Sequence, residues 1–463
     1  MQDFRLESLQ PGSHIHFVGI GGISMSGLAE ILKKSGFLVS GSDLKESPIT
    51  QKLIEMGVLF TQGHAKENVN GADLIVYTAA VKNDNPEIQA AAKQNIPSIE
   101  RAVLLGDMMR RYRYPIAVAG THGKTTTTSM VSLILMQAAL DPTIMVGGEL
   151  DAIGGNVLAG GSTYFVTEAC EYVESFLKFY PYTGIILNVE ADHLDYFRDL
   201  NHIIESFSKF SRLIPKDGSL IVCGEDKNAM TAVKDMECNI VTYGVKDSNM
   251  DWIAKNVHFN RFGHPEYDIL YKGSKLSTIQ LNVPGIHNVY NSLAAAACAH
   301  TFGVSINNIA VGLNNFKGTH RRFEIKGDIN GYTIVDDYAH HPTEIMATLE
   351  AASKIPHNKI RCIFQPHTYT RTYSLLEDFS KAFGNADEVI IADIYAAREK
   401  DDGRIHSSVL AERINSAGKK AFYLSSFADI ASFIKSNATD GDIILTMGAG
   451  NIDQVGNLIL GTK

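Results

Sequence analysis

The residues best suited to chemistry lie in Gly120-Thr121-His122-Gly123-Lys124-Thr125-Thr126, which follows the apolar run Ile116 to Ala119 and precedes a helix-forming segment. Two glycines let successive backbone N–H groups turn inward, and the helix N-terminus adds partial positive charge, so the loop suits a phosphate chain. Lys124 brings a full charge to the outer phosphates, and the Thr125 hydroxyl can reach a magnesium ion. The usual P-loop spacing would place a glycine at 118, where this chain has Val118, so the loop is a shortened variant. A plain glycine turn before a threonine-rich helix is the competing reading.

Acids and imidazoles recur just past other apolar runs. Thr163 to Thr167 is followed by Glu168-Ala169-Cys170-Glu171, and Tyr182 to Asn188 by Glu190, Asp192, His193 and Asp195. Ligands of open α/β sheets gather beyond the carboxyl ends of the strands, which would bring Glu168 and His193 to the phosphate loop as divalent-metal ligands. An exposed loop acid and a hydrogen-bonded structural histidine are the alternatives. Asn288 and Asn291 open an alanine-rich helix, where their amides could read an adenine edge or cap the helix. A further strand, Tyr332 to Val335, delivers Asp336-Asp337-Tyr338-Ala339-His340-His341, which suits either a metal or contacts to nucleotide and substrate. Ile360 to Phe364 delivers Gln365-Pro366-His367-Thr368-Tyr369-Thr370-Arg371.

A second glycine turn lies near the start. The strand His14 to Ile20 runs into Gly19-Ile20-Gly21-Gly22-Ile23-Ser24, then a helix from Leu28 to Lys34, a strand from Phe37 to Ser40 and an acid at Asp43. This is the opening of a Rossmann-like unit, with a diphosphate expected near Gly21 and Gly22. Ser24 takes the slot of the third fingerprint glycine and Gly27 lies further on; the diphosphate could belong to NAD or to a UDP-sugar.

These sites require strands alternating with helices, hence an α/β protein. A chain of 463 residues forms two or three domains. The basic stretch Arg110-Arg111-Tyr112-Arg113 before Pro115 marks a first boundary, and Thr319-His320-Arg321-Arg322 a second. The expected domains are 1–113, 114–320 and 321–463. Lys216 to Lys275, with the single Trp252, reads as short strands forming a small antiparallel addition. A formal charge of -9 argues against nucleic acid as the main partner. No apolar run is long enough to span a bilayer, and the first residues do not read as a signal peptide. Five scattered cysteines without a CxxC pair suit reduced thiols, so a cytoplasmic location is expected.

Taken together, GIGGISMSG, AGTHGKTTT, NVEADHLDYF, HNVYNSLAA, THRRFE, DDYAHHPTEI and FQPHTYTRT resemble the Mur ligases, the ATP-dependent amide-forming enzymes of peptidoglycan precursor synthesis. The likeness runs from Gly19 to Gly450 and is nearest to the alanine-adding members. It implies a Rossmann-like N-terminal domain for the UDP-sugar, a central P-loop ATPase-like domain, and a Rossmann-like C-terminal domain that closes over both and admits the amino acid. Substrates would be UDP-N-acetylmuramate, ATP and L-alanine, with Mg2+, on a monomer or homodimer. The lactoyl carboxylate would be phosphorylated by ATP, and the amine would then displace phosphate.

The resemblance places Gly19, Gly21, Gly22, Ser24 and Asp43 on the UDP-sugar. It places Gly120 to Thr126, Asn288, Asn291, Arg322, Asp337 and His340 on ATP, and Thr125, Glu168 and His193 on the metal. Lys124, Glu168, His193 and Arg322 form the catalytic set, and Tyr338, His367 and Arg371 the amino-acid end, Arg371 as the carboxylate partner. Two departures stand out. Cys170 stands where many relatives have aspartate, and Thr368 where many have arginine. Lys209 lies near the position of a lysine that several members carbamylate, a feature that the resemblance to alanine adders does not imply. A tripeptide-recycling ligase, a folylpolyglutamate-type ligase, an NAD dehydrogenase and a nucleotide sensor without turnover are the alternatives. The last two leave the phosphate loop or the metal cluster without a use.

Overall fold

The computed structural model describes residues 5–462 apart from 79 and 398. Three sheets divide the chain. The first has five parallel strands in the spatial order Leu59–Gln62, Leu38–Asp43, His14–Val18, Leu74–Tyr77 and Ser98–Glu100. The third has six, Glu324–Ile329, Tyr332–Asp337, Ile443–Met447, Ile360–Phe364, Glu388–Ile391 and Lys420–Tyr423, all parallel except the antiparallel edge strand Glu324–Ile329.

The central sheet has ten strands. Its parallel middle runs Asn239–Gly244, Ser219–Cys223, Thr183–Ile186, Tyr114–Ala119, Tyr164–Glu168 and Thr143–Leu150. This corrects the expectation for 216–275. Ser219–Cys223 and Asn239–Gly244 extend the parallel sheet, and only Trp252–Phe259, Pro265–Tyr271 and Ser274–Gln280 pair antiparallel to one another. Short strands between turns look alike in either direction, because the apolar alternation carries no sign of chain polarity. The first helix also begins earlier than expected, at Ile23, with Gly22 as its N-cap residue.

Alternate residues of the middle strands feed two cores. Ile116, Val118, Ile185 and Ile221 pack under the helices Lys124–Gln137 and Ile286–Thr301. Ala117, Ala119, Ile186, Leu220 and Val222 face the other side, in a cluster continuous with the first domain through Met25, Leu28, Leu105, Met108 and Met109. A methyl group on Gly106, in helix Arg101–Met109, would collide with the Lys178 carbonyl of the central domain. The first two domains therefore share one core. The apolar clusters of the third domain contain no residue before Phe323, and its contacts with the central domain combine ion pairs such as Arg371–Asp192 with packing of Ala351 and Ile355 on Gly285 and Gly263. No described helix is long and apolar enough to cross a membrane.

Candidate active site

The phosphate loop leaves strand Tyr114–Ala119 and enters helix Lys124–Gln137 through two left-handed glycines, Gly120 (φ 141°) and Gly123 (φ 84°). The next strand-end segment braces it. Thr121 N donates to Asn188 O (3.1 Å), His122 N to Asn188 Oδ1 (2.8 Å), and Glu190 N to Thr121 Oγ1 (2.9 Å). Lys124 folds back over the loop, with Nζ donating to Gly120 O (2.5 Å) and pairing with Glu171 Oε2 (3.0 Å). Burial alone would lower the Lys124 pKa, but Glu171 outweighs it and raises it. Glu171 is almost fully buried and was quoted in the sequence without a role; its only local signal is its place three residues beyond Glu168.

Glu168 ends strand Tyr164–Glu168 and accepts from Gly147 N at 2.5 Å. The Thr125 hydroxyl starts the helix. His193, at φ 53°, sets Nε2 3.9 Å from Glu171 Oε1 and 3.8 Å from Asp192 Oδ2. Burial lowers its pKa despite these acids, so the ring is neutral and keeps a lone pair. Thr125, Glu168 and His193 thus surround the Lys124–Glu171 pair without forming a closed ligand set. Two of the three, the Thr125 hydroxyl and the Glu168 carboxylate, are the hard oxygen donors that suit magnesium, an ion that keeps most of its waters, while the His193 nitrogen is the less usual donor for it. Among the described residues, the group whose ligand atoms lie within 4.8 Å of one another is His122, Glu190 and His341. Its nitrogens are largely engaged in hydrogen bonds, His341 Nε2 to Ala191 O (3.2 Å) and His122 Nδ1 to Glu344 Oε1 (3.1 Å). This cluster is a junction between domains, and its members lie 68 to 219 residues apart in the chain.

A cavity of about 620 Å³ opens between the phosphate loop and the third domain, lined by Gly123, Asn288, Asn291, Arg322, Asp337 and Tyr243 among others. Neither asparagine caps its helix, whose N-cap residue is Gly285. Asn288 Nδ2 donates to Pro284 O (2.7 Å) and Asn291 Nδ2 to Asn288 Oδ1 (3.1 Å). A Cβ on Gly123 would lie 2.6 Å from Asn291 Oδ1, so this amide lies against the phosphate loop. Asp337 accepts from Phe323 N (2.8 Å) and Ala339 N (2.7 Å), and burial pushes its pKa up to about 6 against Arg322. The Arg322 guanidinium stands 5.0 Å over the Tyr338 ring.

Beyond the loop lies a smaller pocket of about 60 Å³ between Asp192 and His193 on one side and His367, Thr368 and Arg371 on the other. Arg371 grips Asp192, Nε to Oδ1 at 3.0 Å and Nη2 to Oδ2 at 3.3 Å, while Nη1 is 3.1 Å from His367 Nδ1. The His367 ring stacks on Tyr395 (5.7 Å), and His340 stands 5.9 Å from His367. Burial lowers the His340 pKa to about 4 despite Glu344. Thr368 is the N-cap of helix Tyr369–Ser374 at φ 66°. Tyr338 lies apart from this pocket, its ring between Arg321 and Arg322. Lys209 pairs with Glu174 at 3.0 Å.

In the first domain, Gly19 (φ 83°) makes the turn, and Gly21 N donates to Asp43 Oδ2 at 2.9 Å. Asp43 therefore holds the glycine turn itself. Gly22 and Ser24 lie at the start of the helix, partly open to solvent. Gly27 serves a different purpose from a fingerprint glycine: a Cβ there would lie 2.5 Å from Val157 Cγ2 of the central domain.

Family models match the chain in three blocks: the Mur ligase family catalytic domain at 14–113, the Mur ligase middle domain at 118–299, and the Mur ligase glutamate ligase domain at 321–450. A UDP-N-acetylmuramate–L-alanine ligase of Acetivibrio thermocellus is 54% identical over 461 residues, covering 99% of this chain and 98% of that protein. One from Clostridium acetobutylicum is 55% identical over 446 residues, covering 96% and 97%. The crystal structure of a UDP-N-acetylmuramate-alanine ligase from Thermotoga maritima superposes with a TM-score of 0.82 at 31% identity, covering 97% of this chain and 98% of that one. A phosphate loop braced by two strand ends, a nucleotide-sized cavity under a third domain and these three family blocks in order agree: this chain belongs to the Mur ligase family.

Proposed function

We propose that the chain joins L-alanine to the lactoyl carboxylate of UDP-N-acetylmuramate, with ATP cleaved to ADP and phosphate through an acyl phosphate. The observation that carries this reading is the placement of two spaces on either side of the Lys124–Glu171 pair. These are the nucleotide-sized cavity at Gly123 and the pocket between Arg371 and His193, whose Nε2 stands 3.9 Å from Glu171. The pocket of about 60 Å³ has room for roughly four or five waters, which suits a small amino acid and not a tripeptide.

The lactoyl oxygen forms a bond to the γ-phosphorus as the bond to ADP breaks. The alanine nitrogen then attacks the acyl carbon, and phosphate leaves as the amine loses a proton. Two anions meet in the first step, so neutralisation and alignment matter more than covalent help. Lys124 is held protonated by Glu171 above the loop, ready to exchange that partner for phosphate oxygens. Arg322 faces the cavity from the third domain, and Asn288 and Asn291 line it on the central-domain side, Asn291 against the phosphate loop. Thr125, Glu168 and the neutral His193 would hold magnesium, which when bound neutralises phosphate charge. Arg371 and His367 meet the amino-acid carboxylate. Holding three substrates together contributes on the order of 7–11 kcal/mol through positioning.

The test is phosphate release with ATP, magnesium and UDP-N-acetylmuramate, offered L-alanine, L-serine, glycine or L-alanyl-D-glutamyl-diaminopimelate. Release with L-alanine supports the reading; turnover with the tripeptide alone overturns it.

A further inference from the structure

The strands Thr143–Leu150 and Gly155–Leu158 form a hairpin at the edge of the central sheet. Its ladder is interrupted. Met145 pairs with Val157 and Leu150 with Gly155, so the four residues Val146 to Glu149 face Asn156 alone. The parallel pairing with the neighbouring strand stops at Met145 opposite Thr167, one residue short of Glu168. A bulge of this kind turns backbone groups away from the ladder. The Gly147 N–H is turned onto the Glu168 carboxylate, 2.5 Å from Oε1. A Cβ at Gly147 would lie 2.8 Å from both carboxylate oxygens, so only glycine permits this approach. At the next residue a Cβ would lie 3.3 Å from the Thr125 methyl, a contact a small shift relieves.

The far side of the hairpin is tied to the first domain. Asn156 Nδ2 donates to Ile23 O at 2.9 Å, at the first turn of the helix that follows the glycine turn. Val157 and Met145 are buried against the same helix at Gly27. The residue that faces the bulge is thus the one that bonds to the first domain.

We propose that Gly147 is a positioning residue that sets the Glu168 carboxylate for its ligand, and that Asn156 braces the bulge from the first domain. This rests on the reading of Glu168 as a magnesium ligand. The Gly147 amide takes Oε1, and among the described residues no hydrogen bond is made to Oε2, which leaves that oxygen for a ligand, as a one-carboxylate site for a strongly hydrated ion requires.

The experiment is calorimetric titration of Mg2+ into the full-length protein with a non-hydrolysable ATP analogue, beside a separate titration of UDP-N-acetylmuramate. For Gly147→Ala the magnesium affinity is expected to fall at least 10-fold, with UDP-sugar affinity within twofold of wild type. Gly148→Ala should change magnesium affinity by less than threefold. Asn156→Ala, distant from the ligands, should weaken magnesium by about threefold in the same direction. Unchanged magnesium affinity in Gly147→Ala, or a parallel loss of both affinities, overturns the proposal; no shift in Asn156→Ala removes the brace. If Glu168→Ala leaves magnesium affinity unchanged, the reading of Glu168 as a ligand fails, and the proposal falls with it.

Discussion

Arg371 and Asp192 are locked side-on across the boundary between the third and central domains, through Nε–Oδ1 at 3.0 Å and Nη2–Oδ2 at 3.3 Å. Burial would raise the Asp192 pKa, but Arg371 and His193 hold it far below the carboxylate range. The pair is thus ionised throughout the working pH range and serves as both a closure contact and a wall of the small pocket. All three guanidinium nitrogens are engaged, Nε and Nη2 by Asp192 and Nη1 by His367 Nδ1 at 3.1 Å, and on the function proposed above the second N–H groups of Nη1 and Nη2 are the ones left for a substrate carboxylate.

Arg371→Lys should therefore lower kcat/KM for L-alanine about 100-fold, because an ammonium cannot serve Asp192 and a second carboxylate in the same fork. ATP-analogue affinity should change little. Arg371→Ala leaves a buried carboxylate without its partner, which costs about 3–5 kcal/mol of stability. Steady-state kinetics with varied L-alanine and a thermal melt check the two effects.

Lys124→Ala should reduce turnover about 1000-fold, the upper end of what the loss of one charge-stabilising donor, about 4 kcal/mol, costs. UDP-N-acetylmuramate affinity by calorimetry should stay within twofold of wild type. Loss of both would mean that the Lys124–Glu171 pair holds the fold.

His122 carries a pH signature. Burial would lower its pKa, but Glu344 first and Glu190 with it raise it from 6.5 to about 9. A raised imidazole pKa adds stability that is fully present below pH 6.5 and lost as pH climbs through about 9. At 1.36 kcal/mol per pKa unit the effect is on the order of 3 kcal/mol. Since Glu344 belongs to the third domain and His122 to the loop, closure should weaken over this window. His122→Gln should flatten the fall in melting temperature between pH 6.5 and 9; an unchanged slope would assign it to another group.

Glu168→Ala and His193→Ala should each raise the magnesium concentration for half-maximal activity, by about 10-fold or more for the carboxylate. Titration of activity against magnesium reads this directly. His193 is held neutral by burial, so its contribution should be insensitive to pH above 7.

Much of the fold could be read from the chain because strand, glycine turn and helix follow one another locally, as at His14–Lys34 and Tyr114–Gln137. The α/β class and the three-sheet division follow from that repetition. The partners of the charged residues were not legible. Glu344 meets His122 across 222 residues and Asp192 meets Arg371 across 179, and no local pattern encodes such a contact. Asp336 and Asp337 look equivalent in the sequence, yet Asp336 pairs with Arg321 at 2.9 Å while Asp337 faces the cavity. Strand alternation sends one to each face. His340 and His341 divide similarly: His341 caps helix Pro342–Ser353, and His340 turns toward His367. Gly27 looked like a stray fingerprint glycine because close packing between domains has no signature of its own.

The apolar core that runs unbroken from the first domain into the central one limits which parts of such a protein can be exchanged. A first domain transplanted from a relative would have to bring matching partners for Met145, Val157 and the Lys178 carbonyl, or leave a void or a clash. The third domain makes a smaller demand, at Ala351 and Ile355 beside Gly285 and Gly263, and is otherwise joined across the seam by side-chain pairs such as Arg371–Asp192, His122–Glu344 and Thr343–Glu190. An exchange of the segment after residue 320 therefore needs fewer matched partners than an exchange of the segment before residue 114.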